Sequence, residues 1–112
     1  MNTAPSEDWW TPPQAELVED RSRQWHLQAF QVSDAVAFRG DGVTVARQKR
    51  SEEPVPNDAQ IVLGGWDHEH CALCWRKISL HPGDQASGYT DGKDWLCASC
   101  YEKYLIPRLA EA

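Results

Sequence analysis

Cys71-Ala72-Leu73-Cys74 and Cys97-Ala98-Ser99-Cys100 hold all four cysteines of this 112-residue chain, and their reading decides how the sequence around them folds. Two residues between paired thiols let both sulfurs turn toward one point. A second pair about twenty residues further on closes a tetrahedron, the spacing of a four-thiolate Zn2+ site. Cys71, Cys74, Cys97 and Cys100 are therefore the expected metal ligands. Four sulfurs fill all four positions of such an ion, so its role is structural and no position is left for water or substrate. Two disulfides, or a thioredoxin-like redox CxxC, are the other uses of this many cysteines. Disulfide frameworks scatter their cysteines through a fold, and a redox CxxC sits alone between a strand and a helix of a βαβ unit. Two clustered pairs favour metal over both.

Outward from the second pair, Tyr101, Tyr104, Leu105 and Leu109 recur at helical spacing, whereas Glu102, Lys103 and Arg108 fall elsewhere. Pro107 lacks a backbone donor and disfavours helical geometry at Ile106, which predicts a helix over about 98–106 that ends or kinks there. Cys97 and Cys100 would lie at its N-terminus, where free N–H groups and the helix dipole favour thiolate over thiol. Between the pairs, residues 77–80 and 89–96 read as strands, separated by the turn residues His81-Pro82-Gly83-Asp84, with a further turn at Asp91-Gly92.

This order of knuckle, β-hairpin, knuckle and helix, over roughly residues 66–105, resembles the treble-clef class of zinc modules, LIM-like domains among them. In that class the first pair sits on a knuckle and the second on the first turn of a helix, which implies the same ligand set. The chain as a whole resembles small bacterial zinc-binding proteins, and its N-terminal half carries no family resemblance. Trp75 and Trp95 flank cysteines and are expected to shield the site from water. His68 and His70 precede the first knuckle. Either would serve as a substitute ligand or bind a second metal, or would hydrogen-bond nearby carbonyls or sulfurs.

The N-terminal half reads as a polar arm over residues 1–13, with Trp9 and Trp10 as anchors that pack onto the domain or meet a partner, followed by a β-rich region over 14–63. Trp25, Leu27 and Ala29 alternate with polar residues, and Phe30 and Val32 continue on the opposite parity, a sign of a bulge or of burial on both faces. Gly40-Asp41-Gly42 predicts a hairpin near 35–46. Residues 14–24 read alternatively as a short helix after Pro12-Pro13, with Leu17, Val18 and Trp25 on one face. Residues 51–58 form a connector, and 60–63 a strand broken by Gly64-Gly65. The expected fold class is α+β: a small β-rich part with a hairpin, then a zinc module over 66–112.

Charge and motif narrow the function. A formal charge of −6 opposes binding driven by phosphate attraction, and four thiolates around Zn2+ add about −2 more. Arg47-Gln48-Lys49-Arg50 is a short basic cluster of the kind found on solvated loops. A zinc deaminase needs H-x-E followed by P-C-x-x-C; His68-Glu69-His70 has histidine at the third position, and Leu96 precedes Cys97. An HNH-like nuclease would use His81 between the knuckles, but no asparagine lies there and Tyr101 takes the helix position after the second knuckle. No catalytic residue is expected. The leading expectation is a non-catalytic module whose structural Zn2+ supports a surface for a protein partner of basic character, in the manner of an inhibitor, immunity protein or adaptor. The six tryptophans, a residue type favoured at interface centres, point the same way. The alternative is a zinc-ribbon nucleic-acid binder using Arg47, Lys49, Arg50, Arg76 and Lys77, with an HNH-like nuclease or CxxC redox protein as minor readings. No stretch is apolar enough to span a bilayer, and the N-terminus lacks the basic-then-apolar layout of an export signal. A reducing, cytoplasmic setting is expected.

Overall fold

The computed structural model describes residues 4–110, with the side chain of Val45 left out. The first three residues of the expected N-terminal arm and the last two of the chain lie outside the described residues. The order of elements is α1 (Pro12–Glu19), β1 (His26–Ala29), β2 (Ser33–Gly40), β3 (Val43–Lys49), β4 (Ala59–Trp66), β5 (His68–His70), β6 (Lys77–Ser79), β7 (Ser87–Thr90), β8 (Trp95–Leu96), α2 (Ala98–Cys100), a π-helical turn (Tyr101–Leu105) and α3 (Ile106–Ala110). The fold is mixed and strand-rich, in keeping with the α+β expectation.

Two compact units result, one from residues 4–30 together with 69–110, the other from 31–68. Ladder pairing sets this division. β1 lies antiparallel beside β7, with Leu27 opposite Tyr89 and Gln28 opposite Gly88, and β8 flanks β7 on its other side. The segment 14–30 therefore joins the cysteine-bearing half, in place of the continuous β-rich region expected over 14–63.

In the first unit, the first regular element is the helix α1. Thr11 Oγ1 accepts the Gln14 N–H at 3.4 Å and Gln14 Oε1 accepts the Thr11 N–H at 2.7 Å, a reciprocal capping box. Pro12 and Pro13 fill first-turn positions whose N–H groups would have no helical partner. Of the two readings of this stretch, helix is the one adopted, starting two residues before Gln14 and ending at Glu19. Leu17 and Val18 bury into one cluster with Cys71, Leu73, Leu96, Cys97, Cys100, Tyr104 and Leu105. Trp10 and Trp25 pack against this cluster, whereas Trp9 is 51% exposed. β1 is a solvent-facing edge strand in which Leu27 is exposed, so the inward alternation expected there is absent. Phe30, just past it, turns in to meet Ile78 and Trp95.

Pro107 does not end the helix. The Ile106 N–H reaches back to the Tyr101 carbonyl, five residues earlier, and helical backbone runs on to Ala110. A proline ring clashes with the carbonyl four residues before it in a regular α-helix. The wider turn immediately ahead of Pro107 accommodates the ring without a break, the usual form in which π geometry occurs within a helix.

The second unit is a three-stranded antiparallel sheet in the order β3-β2-β4. The β2–β3 hairpin turns on Asp41 and Gly42, at φ 55° and 78°, the left-handed pair that a two-residue I′ connection requires. The return strand extends to Lys49, beyond the expected end near 46. β4 passes through Gly64-Gly65 to Trp66, so the glycines do not break it. A register shift between Ser33 and Ala35 absorbs the irregularity, and Asp34 Oδ1 accepts the Gly64 N–H at 2.9 Å. Ala35, Val36 and Ala37 on the central strand are buried.

Candidate metal centre

The first knuckle is a closed loop of backbone. The Trp75 N–H donates to the Cys71 carbonyl at 2.9 Å, and the Cys71 N–H donates to the Arg76 carbonyl at 2.8 Å. It is tied to β8 through the Ala72 N–H, which donates to the Trp95 carbonyl at 2.8 Å. Two residues later the same strand delivers Cys97, the N-cap of α2, whose Sγ accepts the Cys100 N–H at 3.5 Å. One short strand therefore positions both halves of the cluster. α1 adds a further tie, because Gln14 Nε2 donates to the Ala72 carbonyl at 2.9 Å and the Leu73 carbonyl at 3.3 Å. Sequence reading missed Gln14. The T-x-x-Q capping pattern was available to locate the helix start, but the contact to the knuckle spans 58 residues and no local signal announces it.

The four sulfurs lie within 4.8 Å of one another, and Cys74 Sγ and Cys97 Sγ are 3.6 Å apart. A tetrahedral ion with Zn–S bonds of about 2.3 Å needs sulfurs about 3.8 Å apart, so the cluster is of the size a metal requires. Cys71, Cys97 and Cys100 are buried and Cys74 is exposed.

Electrostatics supply a second test of fit. The Cys71 thiol is pulled down from 9.0 to about 4, first by a hydrogen bond from the Cys100 thiol and then by the backbone N–H groups of Cys74, Cys97 and Leu73. Burial pushes Cys97 up to about 11, with the Cys71 charge adding to it. Cys100 is driven further up by its hydrogen bond to Cys71, by burial and by the Cys71 charge. Hydrogen bonds at Cys71 and burial at Cys97 and Cys100 thus favour negative charge in the first knuckle, although the helix-end N–H of Cys100 still favours the Cys97 thiolate. Burial and like-charge repulsion outweigh the helix end at Cys97. Crowded sulfurs that cannot all ionise together are what a divalent cation resolves, by taking the place of the protons.

A pH dependence follows. Cys97 and Cys100 carry protons at neutral pH that binding must expel, so affinity weakens as pH falls. Apparent metal affinity is expected to drop by at least about a hundredfold per pH unit between pH 8 and 6, since each proton expelled contributes one factor of ten and these two set the minimum. Competition against a chromophoric chelator, corrected for the chelator's own protonation, measures the slope. A flat profile would mean that the thiols are already ionised.

The histidines stand outside the cluster. His70 Nδ1 lies 2.9 Å from the Trp75 carbonyl, the carbonyl-bonding arrangement anticipated for it, and His68 Nδ1 lies 2.7 Å from Asp67 Oδ1. Of the two expected shielding tryptophans, Trp95 is buried but Trp75 is 70% exposed. Trp75 adopts φ 68°, a left-handed conformation uncommon for a bulky side chain, and its indole stacks on the His70 imidazole at 4.6 Å and 6°. His81 is exposed on the loop between the knuckles, and its N–H donates to Ser79 Oγ at 3.0 Å. No helix among the described residues is long and apolar enough to cross a membrane. Comparison of the chain with protein-family profiles, with curated proteins and with solved structures yields no match.

Proposed function

We propose that the chain is a non-catalytic zinc module that holds Trp75 out as the centre of a protein-interaction surface. Cys71, Cys74, Cys97 and Cys100 supply four soft thiolate donors, enough to fill a tetrahedral ion, a set that suits Zn2+ in a structural role. The expected hairpin of 77–80 with 89–96 does not form, because β6 pairs with β5; a β7–β8 hairpin lies between the knuckles instead. The order of first knuckle, hairpin and a second knuckle opening a helix supports the treble-clef reading of the module.

The observation that carries the interaction reading is Trp75 itself. Its backbone conformation costs on the order of 1–3 kcal/mol for a residue that is not glycine, and its ring is left mostly in water. Local conformation and burial both argue against tryptophan at this position, and such double inconsistency is characteristic of functional sites. His70 stacks on the ring and bonds to its carbonyl, fixing the platform in place. The formal charge of −6 suits a partner of basic character.

Trp75→Gly separates function from folding. Glycine adopts the left-handed conformation freely, so metal content is expected to stay at one zinc per chain and stability to stay within about 1 kcal/mol of wild type or to rise. Proteins recovered from lysate by the wild type should be lost with the variant. Equal recovery by both would overturn Trp75 as the contact. Salt-sensitive binding to single-stranded nucleic acid, with quenching of Trp75, would instead support the zinc-ribbon alternative in which Arg76 and Lys77 contribute.

A further inference from the structure

Cys71, Cys97 and Cys100 are 0%, 1% and 7% exposed, while Cys74 faces solvent. The Cys74 sulfur also touches its counterpart in the other knuckle, Cys97 Sγ, at 3.6 Å. An accessible sulfur beside a second, sheltered one is the arrangement in which the first is oxidised and the second resolves it. We propose that Cys74 is a peroxide-reactive modification site, resolved by Cys97 into a disulfide that joins the two knuckles and, given the zinc reading above, opens the metal centre.

The chemistry balances with a peroxide as oxidant. The Cys74 thiolate attacks one oxygen of hydrogen peroxide. An S–O bond forms, the O–O bond breaks and hydroxide leaves, the sulfur giving up the two electrons that the peroxide gains. The Cys97 sulfur, a thiolate once metal binding has displaced its proton, then attacks the Cys74 sulfur. An S–S bond forms, the S–O bond breaks and a second hydroxide leaves. In sum, two thiolates and one peroxide give one disulfide and two hydroxides. The two sulfurs must close from 3.6 Å to about 2.0 Å, a short displacement for a loop and a helix cap. Cys71 and Cys100 are left as the only two donors, too few to retain a divalent ion, and added thiol reductant restores the set.

The partner choice distinguishes this scheme from the pairing that sequence proximity favours. A CxxC motif closes most simply on itself, as Cys71–Cys74 or Cys97–Cys100. Here the sulfur in contact with Cys74 Sγ is Cys97 Sγ, at 3.6 Å, whereas the Cys71 thiol is engaged by the Cys100 thiol and by backbone N–H groups of Cys74, Cys97 and Leu73.

The test uses the full-length protein, with zinc quantified by elemental analysis first. About one equivalent of hydrogen peroxide is added with and without a 1,3-diketone that traps sulfenic acid. Zinc release is followed with a chromophoric chelator, and linked peptides are sequenced by fragmentation. The expected result is trapping at Cys74 about tenfold ahead of any other cysteine. A Cys74–Cys97 link should form when the trap is omitted, with one zinc released per link. Earlier trapping elsewhere, or a first disulfide within one knuckle, overturns the proposal. Protein that carries no zinc at the outset defeats the zinc reading and with it the opening of the centre. The same mapping on reduced, metal-free protein still decides whether Cys74 and Cys97 form the reactive pair.

Discussion

Cys97→Ala is expected to abolish zinc binding and, with it, the cooperative folding of the unit that contains the cysteines. Cys97 does three things in one place. It offers a ligand atom, it caps α2 through Sγ, and it fills a position that is 1% exposed between Leu96 and the helix. Structural zinc contributes on the order of 10 kcal/mol or more of apparent folding free energy at neutral pH, and small domains have only about 5–15 kcal/mol in all. Loss of the ion is therefore comparable to loss of the fold, whereas loss of the cap alone costs about 1 kcal/mol. Cys97→Ser tells the contributions apart. Serine is a good N-cap but a poor zinc ligand, so a metal role requires both variants to lose zinc and their melting transition together. A capping role alone would leave the serine variant close to wild type. Elemental analysis and near-ultraviolet circular dichroism provide the readouts, and native zinc content with unchanged melting in the alanine variant would exclude Cys97 from the site. Stripping the wild type with a chelator should reproduce the variant's spectrum.

What could be read in advance divides according to whether the determinant is local. The cysteine spacing and the Asp41-Gly42 turn are encoded within a few residues, and both features occur where that local chemistry places them. The pairing of β1 with β7 is not encoded this way. His26 meets Thr90 across a long stretch of intervening chain, and nothing within the segment around Leu27 distinguishes a ladder with a distant strand from one with its sequence neighbour. The same non-locality concealed Gln14, whose contact with the first knuckle exists only once α1 has docked. Pro107 misled for a different reason. Its ring disrupts an ideal α-helix, but one π-helical turn relieves the clash without ending the helix. Trp75 misled because hydrophobicity argues for burial, while the left-handed knuckle position directs the side chain outward.

Gly88→Val is expected to prevent the same unit from folding, although Gly88 touches no ligand. The residue sits on β7, with β1 on one side and β8 on the other, so neither neighbour can retreat without losing its ladder. A Cβ placed there would lie 2.8 Å from the Leu96 carbonyl oxygen, 2.9 Å from Ile78 Cδ1 and 3.3 Å from Trp95 Cε3. The side-chain contact is negotiable, but the carbonyl belongs to the residue immediately before Cys97. Relief of that contact moves β8, and β8 carries both the Trp95 carbonyl that holds the first knuckle and the start of the second. Overpacking in a closed core costs about 1–3 kcal/mol for a modest addition. Gly88→Ala should therefore lower stability by about 2–3 kcal/mol with zinc retained, and valine should exceed what the unit can bear. Ile78→Val removes the Cδ1 atom and leaves the carbonyl in place. Combined with Gly88→Ala it should recover only about 0.5–1 kcal/mol relative to additivity, the remaining cost being the push on Leu96. Full recovery in the double variant would show that β8 is free to shift and would remove the mechanical link between this glycine and the metal centre.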